Sequence, residues 1–156
     1  MNRFLLLPLI AFLLSVAPLL AEECSLSAYE TLASDGKSAD NAREWGKSVA
    51  TYSRILAECR ALVKDADLVK VYDALSVAQL MMGNHSEAIE NAKKCIETDV
   101  RYNACMMTAA RSHESLGDRD AALEYAKSAV DAGGYDEYSS AVVILAKDFL
   151  RRLEKK

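Results

Sequence analysis

Proline is confined to Pro8 and Pro18, so the chain from residue 19 onward has none. Proline removes a backbone donor and breaks helices, and its absence leaves long helices unobstructed. Histidine is scarce too, with His85 and His113 the only two. They share no helical face and no close cysteine pair accompanies them, so the spacing of a zinc site is missing. A glycine-rich phosphate loop is also lacking, because Gly133 and Gly134 follow a helix without a basic partner pattern. Catalysis needs an acid, base or nucleophile held in mutual reach. His85 follows a Gly-Asn break and reads as a solvated turn residue, and His113 reads as a packing residue inside a helix. Ser112 cannot face His113, since adjacent helical residues diverge. The expectation is no catalytic residue, no metal and no cofactor.

Charge of one sign is not in large excess, with 19 Lys and Arg against 23 Asp and Glu. Such a mixed, mildly acidic surface has no electrostatic footprint for nucleic acid. Low-complexity tracts and long like-charge runs are absent as well, which points to an ordered chain.

What is present starts with "MNRFLLLPLIAFLLSVAPLLAEEC". Its basic, apolar and small-residue order is that of a secretory signal peptide, assigned to residues 1–21 with cleavage after Ala21. The run from Phe4 to Leu20 contains proline and falls short of the roughly 20 residues that cross a bilayer. Membrane attachment is expected only through an uncleaved signal segment, and Glu22 and Glu23 ahead of Cys24 argue against lipidation. The expected location is secreted or periplasmic. Cys24, Cys59, Cys95 and Cys105 all follow the cleavage site. An even count in an exported chain suggests two disulfides, with three connectivities open, against the alternative of buried free thiols.

Beyond residue 24 strand signals are few, and Ala, Leu, Glu, Lys and Met dominate, which predicts an all-α chain. A shift of 34 residues lays "GNHSEAIENAKKCI" over "GDRDAALEYAKSAV". Gly83 falls on Gly117, Asn84 on Asp118, Ala88 on Ala122, Ala92 on Ala126 and Lys93 on Lys127. Glycine supplies the left-handed residue that ends one helix, and Asn or Asp begins the next. Asn84-His85-Ser86 also matches a glycosylation sequon on that turn, which reads as a chance match.

This internal period resembles the tetratricopeptide repeat, a helix, a tight turn and an antiparallel second helix. Residues 69–102 and 103–136 would be two units. The likeness is strongest in each second helix. In the first helices the family's Trp, Leu, Gly and Tyr are replaced by Tyr72, Leu75, Ser76 and Gln79, and by Met106, Ala109, Ala110 and His113. The resemblance implies an α-α superhelix of stacked antiparallel helix pairs. Residues 22–68 would form a divergent N-terminal helical pair, with a short helix at 27–33, "SDGKSADN" as a loop, and a long amphipathic helix from Asn41 to Val63. Residues 137–156 would be a capping helix, its stripe of Val142, Val143, Ile144, Leu145 and Phe149 serving packing. Within such a stack Cys95 ends one second helix and Cys105 starts the next first helix, so these two would pair, leaving Cys24 for Cys59.

In this family the first helices line a concave groove that holds peptides or partner segments. The matching positions here are Lys70, Asp73, Val77, Leu80 and Met81 in one unit, and Ala104, Met107, Arg111, Glu114 and Ser115 in the next. Asp73 and Val77 stand where the carboxylate-gripping subtype has Lys and Asn, so that specificity is not implied. Met81, Met82, Met106 and Met107 cluster on the same helices, suited to adaptable contacts, with at least two of them expected to be buried. The function expected is a non-catalytic protein- or peptide-binding module outside the cytoplasm, a scaffold or adaptor in an envelope assembly. The alternatives are an extracytoplasmic enzyme or its accessory subunit, and a structural spacer. So short a stack also suggests a homodimer or docking on a larger assembly.

Overall fold

The computed structural model describes residues 24–134 and 136–155. The assigned signal peptide lies outside the described residues. Among them every regular element is helical: α1 Leu26–Ala42, α2 Trp45–Glu58, a 3-10 turn Arg60–Leu62, α3 Asp65–Met81, α4 His85–Thr98, α5 Asn103–Ser115, α6 Arg119–Asp131 and α7 Glu137–Glu154. No described helix is long and apolar enough to cross a membrane.

Three tight turns fold the helices into pairs, and all three close the same way. Gly83 N–H donates to Leu80 O and Asn84 N–H to Gln79 O. Gly117 N–H donates to Glu114 O and Asp118 N–H to His113 O. The first turn repeats this pattern with Arg43 N–H on Asp40 O and Glu44 N–H on Ala39 O. Gly83 and Gly117 take φ of 80° and 81°, and Arg43 takes 58° without the freedom of glycine. Asp118 caps α6 by accepting from Ala121 N–H at 3.2 Å. Asn84 does not cap α4, and its amide instead donates to Gln79 Oε1 at 2.8 Å.

The N-terminal pair departs from the sequence expectation. "SDGKSADN" is not a loop: α1 runs straight through it. Nor is Asn41 to Val63 one helix, because the chain turns at Arg43 and Glu44 and α2 ends at Glu58. Gly36 is a point of close approach rather than a breaker, since a Cβ there would stand 2.8 Å from the Tyr52 ring. Asp40, one turn on, accepts hydrogen bonds from Ser48 Oγ and from Tyr52 Oη at 2.8 Å, which bolts α1 to α2.

The core is serial, as expected when each pair packs only on its neighbours. Leu32, Tyr52, Ile55, Val71 and Leu75 fill the first segment. Val69, Ala92 and Ala109 surround Cys95 and Cys105 in the middle. Met106, Met107, Val142, Phe149 and Leu153 close the end. Ala78, Ala88, Ala92, Ala122 and Ala126 are wholly buried, the small side chains that let helices approach. Disulfides join Cys24 to Cys59 and Cys95 to Cys105, with Cα separations of 5.0 and 6.2 Å.

Helix α7 is fastened at both ends. Asn103, 2% exposed, donates to Gly133 O at 3.0 Å and to Ser139 O at 2.9 Å, which fixes the chain entering α7. Asp136 and Ser139 form a capping box at its start. Near its other end Arg152 grips Glu114 through two hydrogen bonds of 2.7 and 2.9 Å, and Arg119 donates to Leu153 O at 2.6 Å.

Candidate functional site

The first helix of each pair, α1, α3 and α5, contributes to one face, and α7 takes the next place in that row. Two adjoining hollows of about 590 and 530 Å³ open there, and Val77 and Tyr138 line both. The first lies toward α1 and the second toward α7, so together they form one groove.

Rings wall the first hollow: Tyr29 from α1, Trp45 and Tyr52 from α2, Tyr102 ahead of α5 and Tyr138 from α7. Its carboxylates are Asp40, Asp67 and Asp73. Lys70 is exposed and pairs with Asp67 at 3.1 Å. Asp73 Oδ2 accepts the Tyr102 hydroxyl at 3.3 Å, and its Oδ1 lies 3.5 Å from Cys105 Sγ. The sulfur is in a disulfide and has no hydrogen, so that contact is not a hydrogen bond. Burial raises Asp73 to about 6, the Tyr102 hydrogen bond draws it back only in part, and Asp40 adds to the rise. Burial, then the hydrogen bond and charge of Asp40, hold the Tyr52 phenol well above the ordinary tyrosine range.

The second hollow is more apolar. Val77, Ala104 and Met107 face Val142, Leu145 and Phe149 of α7. Arg111 lines it with an exposed side chain and makes no ion pair among the described residues. Arg152 also lines it but is engaged with Glu114 and stands 4.9 Å over the Phe149 ring.

The residues singled out from the sequence therefore divide. Lys70, Asp73, Val77, Ala104, Met107 and Arg111 line the groove. Glu114 instead ties α5 to α7, and Ser115 Oγ donates to Arg111 O at 3.0 Å. Leu80 and Met81 line neither hollow; Met81 and Met82 are half exposed, whereas Met106 and Met107 are buried. The α7 stripe is not all packing: Val142 and Phe149 are buried, while Ile144 and Leu145 are more than 60% exposed. His113 stacks on Tyr125 with ring centroids 5.4 Å apart and lies 3.2 Å from Asp118 Oδ2, away from the groove.

Sequence reasoning missed the rings and Asp40; Tyr29, Asp40, Trp45 and Tyr52 arrive from a helix pair it had read as a short helix, a loop and one long helix. The signal that could have found them is the pair Asp40 and Ser48, polar residues on the inward faces of two helices. Among the described residues no three His, Cys, Asp or Glu stand close enough to hold a metal.

No protein-family model matches the chain, and no curated protein does. Solved structures do match. PcrH from Pseudomonas aeruginosa is 20% identical, with 83% of this chain and 94% of that one covered and a TM-score of 0.71. Its complex with the chaperone binding region of PopD gives 18%, 84%, 94% and 0.73. The TPR domain of Arabidopsis OM64 is 19% identical over 83% of this chain and 96% of that one, with a TM-score of 0.68. The TPR2B domain of yeast Sti1, solved with pHsp70, gives 18%, 81%, 96% and 0.69. At these identities the likeness establishes the fold alone.

Proposed function

The chain has the tetratricopeptide-repeat fold, and from that premise we propose that it is a non-catalytic module whose groove holds a segment of a protein or peptide partner. It acts outside the cytoplasm, as a scaffold or adaptor in an envelope assembly. The observation that carries this reading is the groove itself, two adjoining hollows walled by four helices of the row and lined by six aromatic side chains, with Met107, Arg111 and Arg152 beside them. Those residue types are enriched at interfaces. The complexes of PcrH with the PopD region and of TPR2B with pHsp70 supply precedent for this fold holding a partner. Two disulfides and the signal-like start favour an oxidising compartment.

The enzyme alternative gains one observation, the raised acid Asp73. It stands in an open hollow with no histidine among its lining residues, so the parts of an acid–base pair are not assembled there. Val77→Arg tests the proposal, because that position lines both hollows. Affinity purification from the native host should recover one partner with the wild type and with the control Lys127→Glu, and lose it with Val77→Arg. A partner retained by a folded Val77→Arg protein would place binding elsewhere.

A further inference from the structure

The first hollow has a carboxylate that its own fold does not satisfy. Both oxygens of Asp40 already accept hydroxyls, one from Ser48 and one from Tyr52. Asp73, which lines the hollow, accepts one hydroxyl on Oδ2, and among the described residues its Oδ1 receives no hydrogen bond, the disulfide sulfur of Cys105 standing 3.5 Å away. The charged and titratable groups around Asp73 come from every neighbouring element. They are Tyr29, Lys37 and Asp40 on α1, Tyr52 on α2, Asp67 and Lys70 on α3, Tyr102 ahead of α5 and Tyr138 on α7. Lys70 is turned to Asp67. Lys37 stands exposed at the rim, free to swing into water.

We infer that this hollow takes the cationic side chain of a Lys or Arg carried by the bound segment, with Asp73 as its counter-ion. The inference rests on the groove being a segment-binding site and specifies what that site selects. Two features converge on a cation. A carboxylate oxygen without a donor gains a charge-assisted hydrogen bond from an ammonium or guanidinium. Aromatic faces attract the same groups, most strongly where water is thinned out. An anionic group would meet Asp40 and Asp73 together, and an uncharged apolar one would leave Asp73 stranded. Binding also draws a proton from Asp73. Its raised affinity for that proton therefore makes binding of the cation weaken as pH falls below about 6.

The test is selection from a random peptide library displayed on phage, near neutral pH, against the disulfide-bonded protein and its Asp73→Asn variant. The amide replaces a group whose charge burial disfavours, so the variant keeps its fold, which its thermal melt confirms. Affinities are read from Trp45, the one tryptophan of the chain and part of the hollow. Wild-type peptides should share a Lys or Arg at one position. Changing it to Met should weaken binding to the wild type about tenfold or more, and to Asp73→Asn only by the roughly twofold to threefold that the remaining rings supply. Wild-type affinity should also fall severalfold between neutral pH and pH about 5. Peptides that bind but lack a shared basic residue, or that need it equally on both proteins, overturn this inference and leave the groove reading standing. Failure to select any peptide, or selection of peptides indifferent to Val77→Arg, overturns both.

Discussion

Gly36 shows how one residue misleads when read along the chain and is explained once packing is known. In sequence it sits among Ser, Asp and Lys and reads as a loop, while in the fold it lets the Tyr52 ring lie against α1. Gly36→Ala should improve helix propensity and still destabilise, by about 1–3 kcal/mol, because Tyr52 is held by Asp40 and must be displaced. A denaturant titration measures it, and a neutral or stabilising result would mean the ring moves freely. Asp73 makes the opposite prediction. An acid whose folded-state affinity for the proton exceeds the unfolded one stabilises the fold fully below its ordinary range near 3.8 and loses that contribution as pH rises through about 6. Asp73→Asn should thus raise the melting temperature by several degrees near neutral pH and not at pH about 4. The charged aspartate thus lowers stability near neutral pH, which is the cost expected of a residue with the binding role proposed above. Arg111→Glu should weaken partner binding without lowering the melting temperature, since its exposed side chain supports no other residue among those described. Lys70, Asp73, Val77, Ala104, Met107 and Arg111 reached the hollows through the family resemblance, whereas Leu80, Met81 and Ser115, read the same way, line neither. The tie made by Glu114 was not legible, because its partner Arg152 lies 38 residues further on.

At the level of elements, the turns account for what the sequence disclosed and what it hid. Gly83 and Gly117 marked their turns because left-handed φ is read as glycine. Arg43 takes the same conformation with a side chain, so the first pair left no such mark and α1 and α2 were drawn in the wrong places. Arg43→Gly should relieve that strain and stabilise by about 0.5–1 kcal/mol, measured by the shift in urea midpoint. The opposite sign would show that Arg43 makes compensating contacts. At the far end, Asn103 holds the chain that positions Tyr138, the ring shared by both hollows. Asn103→Ala removes both hydrogen bonds that tie α5 to Gly133 and to the first turn of α7 and should cost about 1–3 kcal/mol. That link was out of reach of pattern reading, because Asn103 is a helix-start residue in sequence and a clamp between elements only in space.

For the whole molecule, the serial core leaves each pair dependent on its neighbours, and the disulfides tie the chain entering α1 to the end of α2 and α4 to α5. Cys24–Cys59 spans 35 residues and Cys95–Cys105 spans 10. By loop-closure entropy these contribute roughly 4 and 3 kcal/mol. Reduction should lower the melting temperature by on the order of 10–20 °C, and an unchanged melt would show that packing alone carries the stack. The all-helical class was legible in composition and the stack in the 34-residue period, while the cysteine pairing followed only from the resemblance to a repeat stack. The groove's acidic, ring-lined end was not legible, since it is assembled from α1, α2, α3, α7 and Tyr102 ahead of α5. The central claim is that this groove holds a partner, and site-specific photo-crosslinking in the native host tests it most directly. Crosslinkers go at Tyr138 and Arg111, one at the junction of the hollows and one in the second, with exposed Lys127 on α6 as control. The account predicts one discrete adduct shared by Tyr138 and Arg111 and absent from Lys127. Equal adducts at all three positions, or none from a protein shown to be folded, would contradict it.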